Sequence, residues 1–180
     1  MQPKFGDRIN LLLTDTDSFV FHIQSENVLQ EIKPDIQTHF DTSNFPPDHF
    51  MYDICNKGVI NKMKIEYPDN PILEVVALRA KNYSIKFANE SEKKIAKGVV
   101  KPVIKHVLKH ESYKNALFNN QQFFSNMSSI RSNKHILMTK SYRKLCLSPF
   151  DDKRYYLGEY GVKSNAHGHY KNDIEKQNSL

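Results

Sequence analysis

Hydrophobic and polar positions divide the first part of the chain into short elements. Leu11–Leu13 and Phe19–Ile23 are runs of strand-forming residues, and the five polar residues TDTDS between them predict a hairpin. Side chains alternate along a strand, so Phe19, Phe21 and Ile23 would share one strongly apolar face, with Ser18, Val20 and His22 on the other. SENVLQEIKPDIQTHFD follows, with Ser25 as the expected N-cap and Pro34 where a first short helix stops or a second begins. DTSNFPPDHF is turn-rich and predicts a loop. The runs KMKIEY and ILEVVALR, separated by the turn signal YPDNP, and then NYSIKF, predict further strands. Hairpin, helices and more strands in this order predict an α+β fold.

From Ser91 the pattern changes. Lys93, Lys97, Lys101, Lys105 and Lys109 recur every four residues, and Ile95, Val99, Val103 and Val107 repeat with the same step. On a helix these would form a lysine stripe beside an apolar stripe. Gly98 and Pro102 interrupt it, which predicts a break around GVVK and a helix opened by Pro102 and running through His110. Like charges four apart cost about 0.2–0.5 kcal/mol per pair in an isolated helix, so the stripe favours a surface facing phosphates. SYKNALFNN predicts a short helix, HILMTKSYRKLCLS a strand, Asp151-Asp152 a turn and RYYLGEY another strand. The polar tail SNAHGHYKNDIEKQNSL is expected to be loose, and there is no internal repeat or Gly/Ser linker.

At 180 residues, with 39% hydrophobic and 26% charged positions, the chain has the size of one ordinary domain or two small ones and the composition of a soluble globular protein. No apolar run approaches the roughly 20 residues of a membrane helix, and the first residues lack the pattern of a secretory signal. Cys55 and Cys146 are far apart and in no Cys-x-x-Cys pair, so a reducing, intracellular setting is expected. The net charge of +6 conceals a division: residues 1–78 carry 6 Lys+Arg against 12 Asp+Glu, giving −6, and residues 79–180 carry 20 against 8, giving +12. An acidic part followed by a basic one suits a polyanion gripped by one region and handled through metal ions in the other; a solubilising lysine surface is the plain alternative.

Asp15 and Asp17 at the tip of an apolar hairpin would place two carboxylates on a rigid support, although aspartates are also common in turns for their backbone hydrogen bonds. Hard cations such as Mg²⁺ take oxygen ligands, and pairs of them stabilise the attacking and leaving oxygens of phosphoryl and nucleotidyl transfer. TDTDS between an apolar and an aromatic strand resembles the motif C hairpin of family B DNA polymerases. LRAKNYSI, Leu78 to Ile85, resembles the Lys-x-Tyr motif of their protein-primed branch. FDTSNFP, KIAKGVVK and LSPFDDKR are similar to segments of polymerases from self-synthesising DNA transposons and related viruses, and the resemblance runs in order along nearly the whole chain.

The resemblance implies template-directed addition of deoxynucleotides to a primer 3′ hydroxyl with two Mg²⁺ ions. Asp15 and Asp17 would be the catalytic, metal-holding carboxylates, Asp17 the more direct ligand. Lys81 and Tyr83 would contact the primer terminus. It further implies the second half of a palm over residues 1–97, a basic thumb over 98–160 and a polar tail over 161–180. Lys97, Lys101 and Lys105 are the first candidates for phosphate contacts, and Arg143, Lys144 and Arg154 the next. Partners would be primer-template DNA, deoxynucleoside triphosphates in the complete enzyme and a terminal protein primer, with no membrane; a nuclear location fits carriage by a eukaryotic element. One departure stands out. The family's third carboxylate, its nucleotide-binding helix and its exonuclease lie ahead of motif C, whereas thirteen residues precede TDTDS here, so a C-terminal fragment inactive alone is expected.

Two rivals compete. A haloacid-dehalogenase-like phosphatase also ends an apolar strand in Asp-x-Asp, but it continues into a helical turn and parallel crossovers, whereas FVFHI is close enough to pair antiparallel. A non-catalytic DNA-binding module explains the lysines and ignores the hairpin. His106 and His110, four apart, read as a solvated or DNA-facing pair without a third metal ligand; His167 and His169 fall in the tail; and nothing orients Cys146 and His135 as a nucleophile and base.

Overall fold

A computed structural model describes residues 1–150, 154–157, 163–166 and 169. The expected α+β class holds: helices are few and short, and the sheets are small and mostly antiparallel. The chain divides into two compact units, the first comprising Met1–Val75 with Ile85–Lys93 and the second Val76–Ser84 with the described residues from Lys94 on. Asp151-Asp152 and most of the polar tail, including His167, lie outside the described residues.

In the first unit, α1 (Gln2–Phe5) leads into β1 (Ile9–Asp15), which pairs antiparallel with β2 (Ser18–Ile23). The helical stretch comprises α2 (Val28–Ile32), a 3-10 turn at Lys33–Asp35 containing Pro34, and α3 (Ile36–His39). The N-cap is Asn27 rather than the expected Ser25: Asn27 Oδ1 accepts from Gln30 N–H at 3.1 Å. Ser25 instead uses its hydroxyl on Glu31 and on the Asn27 N–H. The core here is Phe5, Ile9, Ile32, Ile36, Phe40, Phe45 and Met51, with Phe21 and Ile23 packed against it.

The loop after α3 is held by buried polar groups. β3 (Phe40–Asp41) pairs with β4 (Met63–Lys64), and the pairing is parallel, an exception to the otherwise antiparallel pattern. The buried Asp41 carboxylate accepts from the backbone N–H of Ser43 at 3.0 Å and of Gly58 at 3.2 Å. Burial would raise its pKa, but hydrogen bonds donated by Ser43 and Gly58, with Lys64 nearby, outweigh burial and lower it. Asn56 donates to the carbonyls of Ile36, Gln37 and Phe40 at 2.8, 3.0 and 2.9 Å, tying the loop to α3 and the start of β3.

β5 (Ile72–Arg79), β6 (Asn82–Phe87) and β7 (Glu92–Ala96) form a sheet in that order. The two-residue link between β5 and β6 permits only an antiparallel pair. β7 replaces the first part of the expected lysine helix, because Glu92–Ala96 extends from the turn after Phe87 and pairs with β6. The lysine stripe therefore does not exist as one helical face. Lys93 lies on a strand, Lys97 in a turn, and only Lys101 and Lys105 share a helix, α4 (Lys101–His106). That helix ends before His110, which opens α5 (His110–Phe118). Asn120 at φ 53° follows α5 in the left-handed region, where a helix cannot continue.

The second unit packs Val76, Ala96, Val99, Val103, Leu108, Tyr113, Ala116, Met127, Cys146 and Leu147 into one core. Tyr113 is fully buried and its hydroxyl donates to the Ile95 carbonyl at 3.2 Å. β8 (Phe123–Asn133) and β9 (Ile136–Leu147) make a long antiparallel ribbon. Its Lys134-His135 turn has φ 49° and 64°, the two positive values of a type I′ turn. β10 (Arg154–Leu157) pairs antiparallel with β11 (Lys163–Ala166). No helix among the described residues is long and apolar enough to cross a membrane.

Candidate functional site

The acid pair sits at the tip of a hairpin, as the polar TDTDS stretch between two strands predicts, with a turn tighter than the five residues expected. β1 runs through Asp15, Asp15 pairs with Ser18, and only Thr16 and Asp17 form the turn. Asp15 is half-buried on a strand end and Asp17 is exposed in the turn. Ser18 Oγ donates to the Asp15 carbonyl at 3.1 Å, and Thr16 Oγ1 lies 3.4 Å from Asp15 Oδ1. Thr16 has φ 61°, a conformation that a β-branched residue rarely adopts, so backbone strain is stored between the two acids.

The base of this hairpin is firmly tied. Gln24 N–H donates to the Arg8 carbonyl at 2.8 Å. The Arg8 guanidinium meets Glu31 through two parallel bonds, 3.1 and 2.9 Å. Hydrogen bonding to Arg8, and then to Ser25, holds the Glu31 carboxyl down at about 2. The tip is another matter. Phe19 stacks on Phe21 with centroids 5.9 Å apart, yet Phe19, Leu11 and Leu12 are 51%, 53% and 45% exposed. The apolar face expected along β2 is thus buried only toward Ile23, and a register shift between Leu11 and Leu13 turns the upper part of β1 outward.

Asp15 and Asp17 offer oxygen ligands of the kind Mg²⁺ takes, but the set is incomplete. Among the described residues no three His, Cys, Asp or Glu side chains gather into a group that could hold a metal ion. Two carboxylates do not by themselves satisfy a pair of six-coordinate ions, so these residues fit at most part of such a site.

In the second unit three of the sequence-selected lysines converge. Lys81 occupies the β5–β6 turn at φ 57°, and its carbonyl accepts from Lys97 N–H at 2.9 Å. Gly98 follows at φ 82°, and Lys144 Nζ donates to its carbonyl at 2.5 Å. A Cβ on Gly98 would stand 2.8 Å from Lys144 Nζ, so glycine here serves both the backbone conformation and the close approach of the lysine. Lys97, Lys101 and Lys105 are exposed. Lys144 is part of the fold's internal bonding as well as a cation. Arg143 lies over the Phe124 ring at 4.7 Å, and Arg154 bonds Ser164 through Nε at 2.8 Å.

Two expectations change. Tyr83 is buried, 3% exposed, so its ring is not presented for contact with a ligand in this structure. His110 is not a solvated partner of His106: the chain breaks between α4 and α5, and His110 is buried with Nδ1 2.9 Å from the fully buried Ser84 Oγ. This Ser–His pair is closed to solvent and offers no nucleophile to a substrate. Burial also pushes the Cys146 thiol up, while the exposed Cys55 thiol is raised by its hydrogen bond to Asp53.

The β8–β9 ribbon was only half visible in the sequence, where β9 reads as a strand and β8 does not stand out. An available signal was charge: no Asp or Glu occurs from Ser112 to Phe150. A scan against protein-family models and searches of curated proteins and of solved structures find no match to this chain.

Proposed function

We propose that this chain is the motif C and thumb part of a family B DNA polymerase of the protein-primed branch, acting in template-directed deoxynucleotide addition to a primer 3′ hydroxyl. The observation that carries the proposal is the acid hairpin: two aspartates at a two-residue turn between antiparallel strands, one on a strand end and one in the turn. LRAKNYSI supports it, with Lys81 in a turn bonded to Lys97, beside the further cation Lys144 at Gly98. In the complete enzyme Asp15 and Asp17 would hold Mg²⁺ together with a carboxylate from outside these 180 residues. Lys81, Lys97, Lys101 and Lys105 would bind primer-template phosphates. The palm and thumb divisions, the triphosphate and a terminal protein primer belong to this proposal.

The antiparallel pairing of β1 with β2 argues against the phosphatase alternative, which needs a parallel crossover after its Asp-x-Asp strand. A non-catalytic DNA-binding module is the second reading, favoured by the basic second part of the chain, where residues 79–180 carry 20 Lys+Arg against 8 Asp+Glu. Both keep the phosphate grip, and they part only where the missing carboxylate and nucleotide-binding helix are supplied: the polymerase part should then extend a primer and the binding module should not. The 180 residues alone should bind primer-template DNA with affinity that falls steeply with salt, and should not extend a primer. Mg²⁺-dependent extension by this chain alone would refute the incomplete-site proposal, and a flat salt response would remove the phosphate contacts.

A further inference from the structure

The β8–β9 ribbon ends in an arm on which no other described element packs. From Ile130 to Ser141 every residue is exposed, through the type I′ turn and back. Two strands alone in water are marginal, and this tip makes matters worse by exposing Ile130 at 75%, Ile136 at 67%, Leu137 at 74% and Met138 at 42%. The register divides these between the two faces. Ile130 and Leu137 are diagonal neighbours on one face, and Met138 pairs with Arg131 on the other, where Ile136 pairs with Asn133. The tip is therefore apolar on both sides, a wedge rather than a flat patch.

Charge restricts what can cover it. Residues 123–147 carry Arg131, Lys134, Lys140, Arg143 and Lys144 and no acid, a net +5. A second copy of the ribbon would bring +5 against +5. A lipid surface would receive Lys134 and His135, the outermost residues, at the deepest point, which is the costly place for a charge. A nucleic-acid groove instead meets cations at its phosphate walls and apolar side chains at its base steps. The major groove of B-form DNA, about 12 Å wide, admits a two-stranded ribbon, whereas the A-form major groove is too narrow. Ser128, Ser129, Ser132, Asn133, Thr139 and Ser141 line the same stretch with hydrogen-bonding groups.

We propose that the outer half of the β8–β9 ribbon is a groove-entering arm for B-form DNA, with Arg131, Lys134 and Lys140 on phosphates and Ile130, Ile136, Leu137 and Met138 against base steps, deforming the duplex. The arm's role does not depend on the acid hairpin being catalytic, so either proposal can fail without the other.

The test uses the full chain and a 24-base-pair DNA duplex labelled at both ends, with anisotropy reporting binding and energy transfer reporting the end-to-end distance. Arg131→Ser, Lys134→Ser and Lys140→Ser together should lower the slope of log affinity against log salt by about 2.7, at 0.9 per lost phosphate contact. Ile136→Ser with Leu137→Ser should keep that slope and abolish the change in end-to-end distance. All five positions are exposed, so the variants should keep the circular dichroism of the parent. The proposal is overturned if the triple variant keeps the parental slope, if the duplex ends do not move on binding, if an RNA duplex of the same sequence binds equally well, or if the serine pair abolishes self-association or vesicle binding rather than DNA deformation.

Discussion

Replacing Thr16 by glycine should stabilise this protein, although it deletes a side chain. Thr16 sits at φ 61° between Asp15 and Asp17, at the first central position of a two-residue turn. A β-branched residue there stores strain of about 1–3 kcal/mol, and glycine relieves it. Against this stands the larger entropy that glycine loses on folding, about 0.5–1 kcal/mol. The hydroxyl contact to Asp15, at 3.4 Å, is near the limit of a hydrogen bond and adds little. The net expectation is a gain of about 0.5–2 kcal/mol, read as a higher urea midpoint at unchanged slope. Hydrogen exchange should slow at the paired amides of Ile9–Ile23. Thr16→Ala is the control: it keeps Cβ, removes the branch and should recover only a minor share. A lower midpoint for Thr16→Gly, or equal gains for glycine and alanine, would refute a strained turn between the acids.

Glu31 gives a second expectation, in pH. Its carboxyl is held at about 2 against an ordinary 4.5, so its bond to Arg8 contributes fully above about pH 4.5 and is lost as pH falls toward 2. The stability difference between the parent and Glu31→Gln should therefore be constant near neutrality and shrink to nothing across that window in pH-dependent thermal melts. Leu147→Ala should cost about 2–5 kcal/mol in urea unfolding, because Leu147 is fully buried and its neighbours Met127, Tyr113 and Cys146 already fill the core; a cost under 1 kcal/mol would mean that the ribbon's root is not packed as described.

The local strand chemistry was legible because it depends on neighbours in sequence. Phe19–Ile23 and Asn82–Phe87 alternate or run apolar, and both form strands. The lysine register misled for a physical reason: a four-residue step fits a helix only where the backbone is helical, and Glu92–Ala96 is held extended by pairing with β6. Ser25 and Asn27 are both good caps by residue type, and their choice was settled by Glu31, which engages the Ser25 hydroxyl. Long-range burial was not legible. His110 meets Ser84, Asn56 reaches back to α3, and Asp41 bonds Gly58, contacts that no local pattern encodes. The two acids were found by type and spacing. The convergence of Lys81, Lys97 and Lys144 needed the backbone turns at φ 57° and 82°.

The most direct test of the polymerase proposal is primer extension with these 180 residues joined to a segment that supplies the third carboxylate and the nucleotide-binding helix. Mg²⁺-dependent extension should appear in the joined protein, be absent from either part alone, and be lost with Asp15→Asn or Asp17→Asn while DNA binding is kept. Extension that survives both substitutions, or a joined protein that binds primer-template DNA and triphosphate yet never extends, would contradict a catalytic role for the acid hairpin.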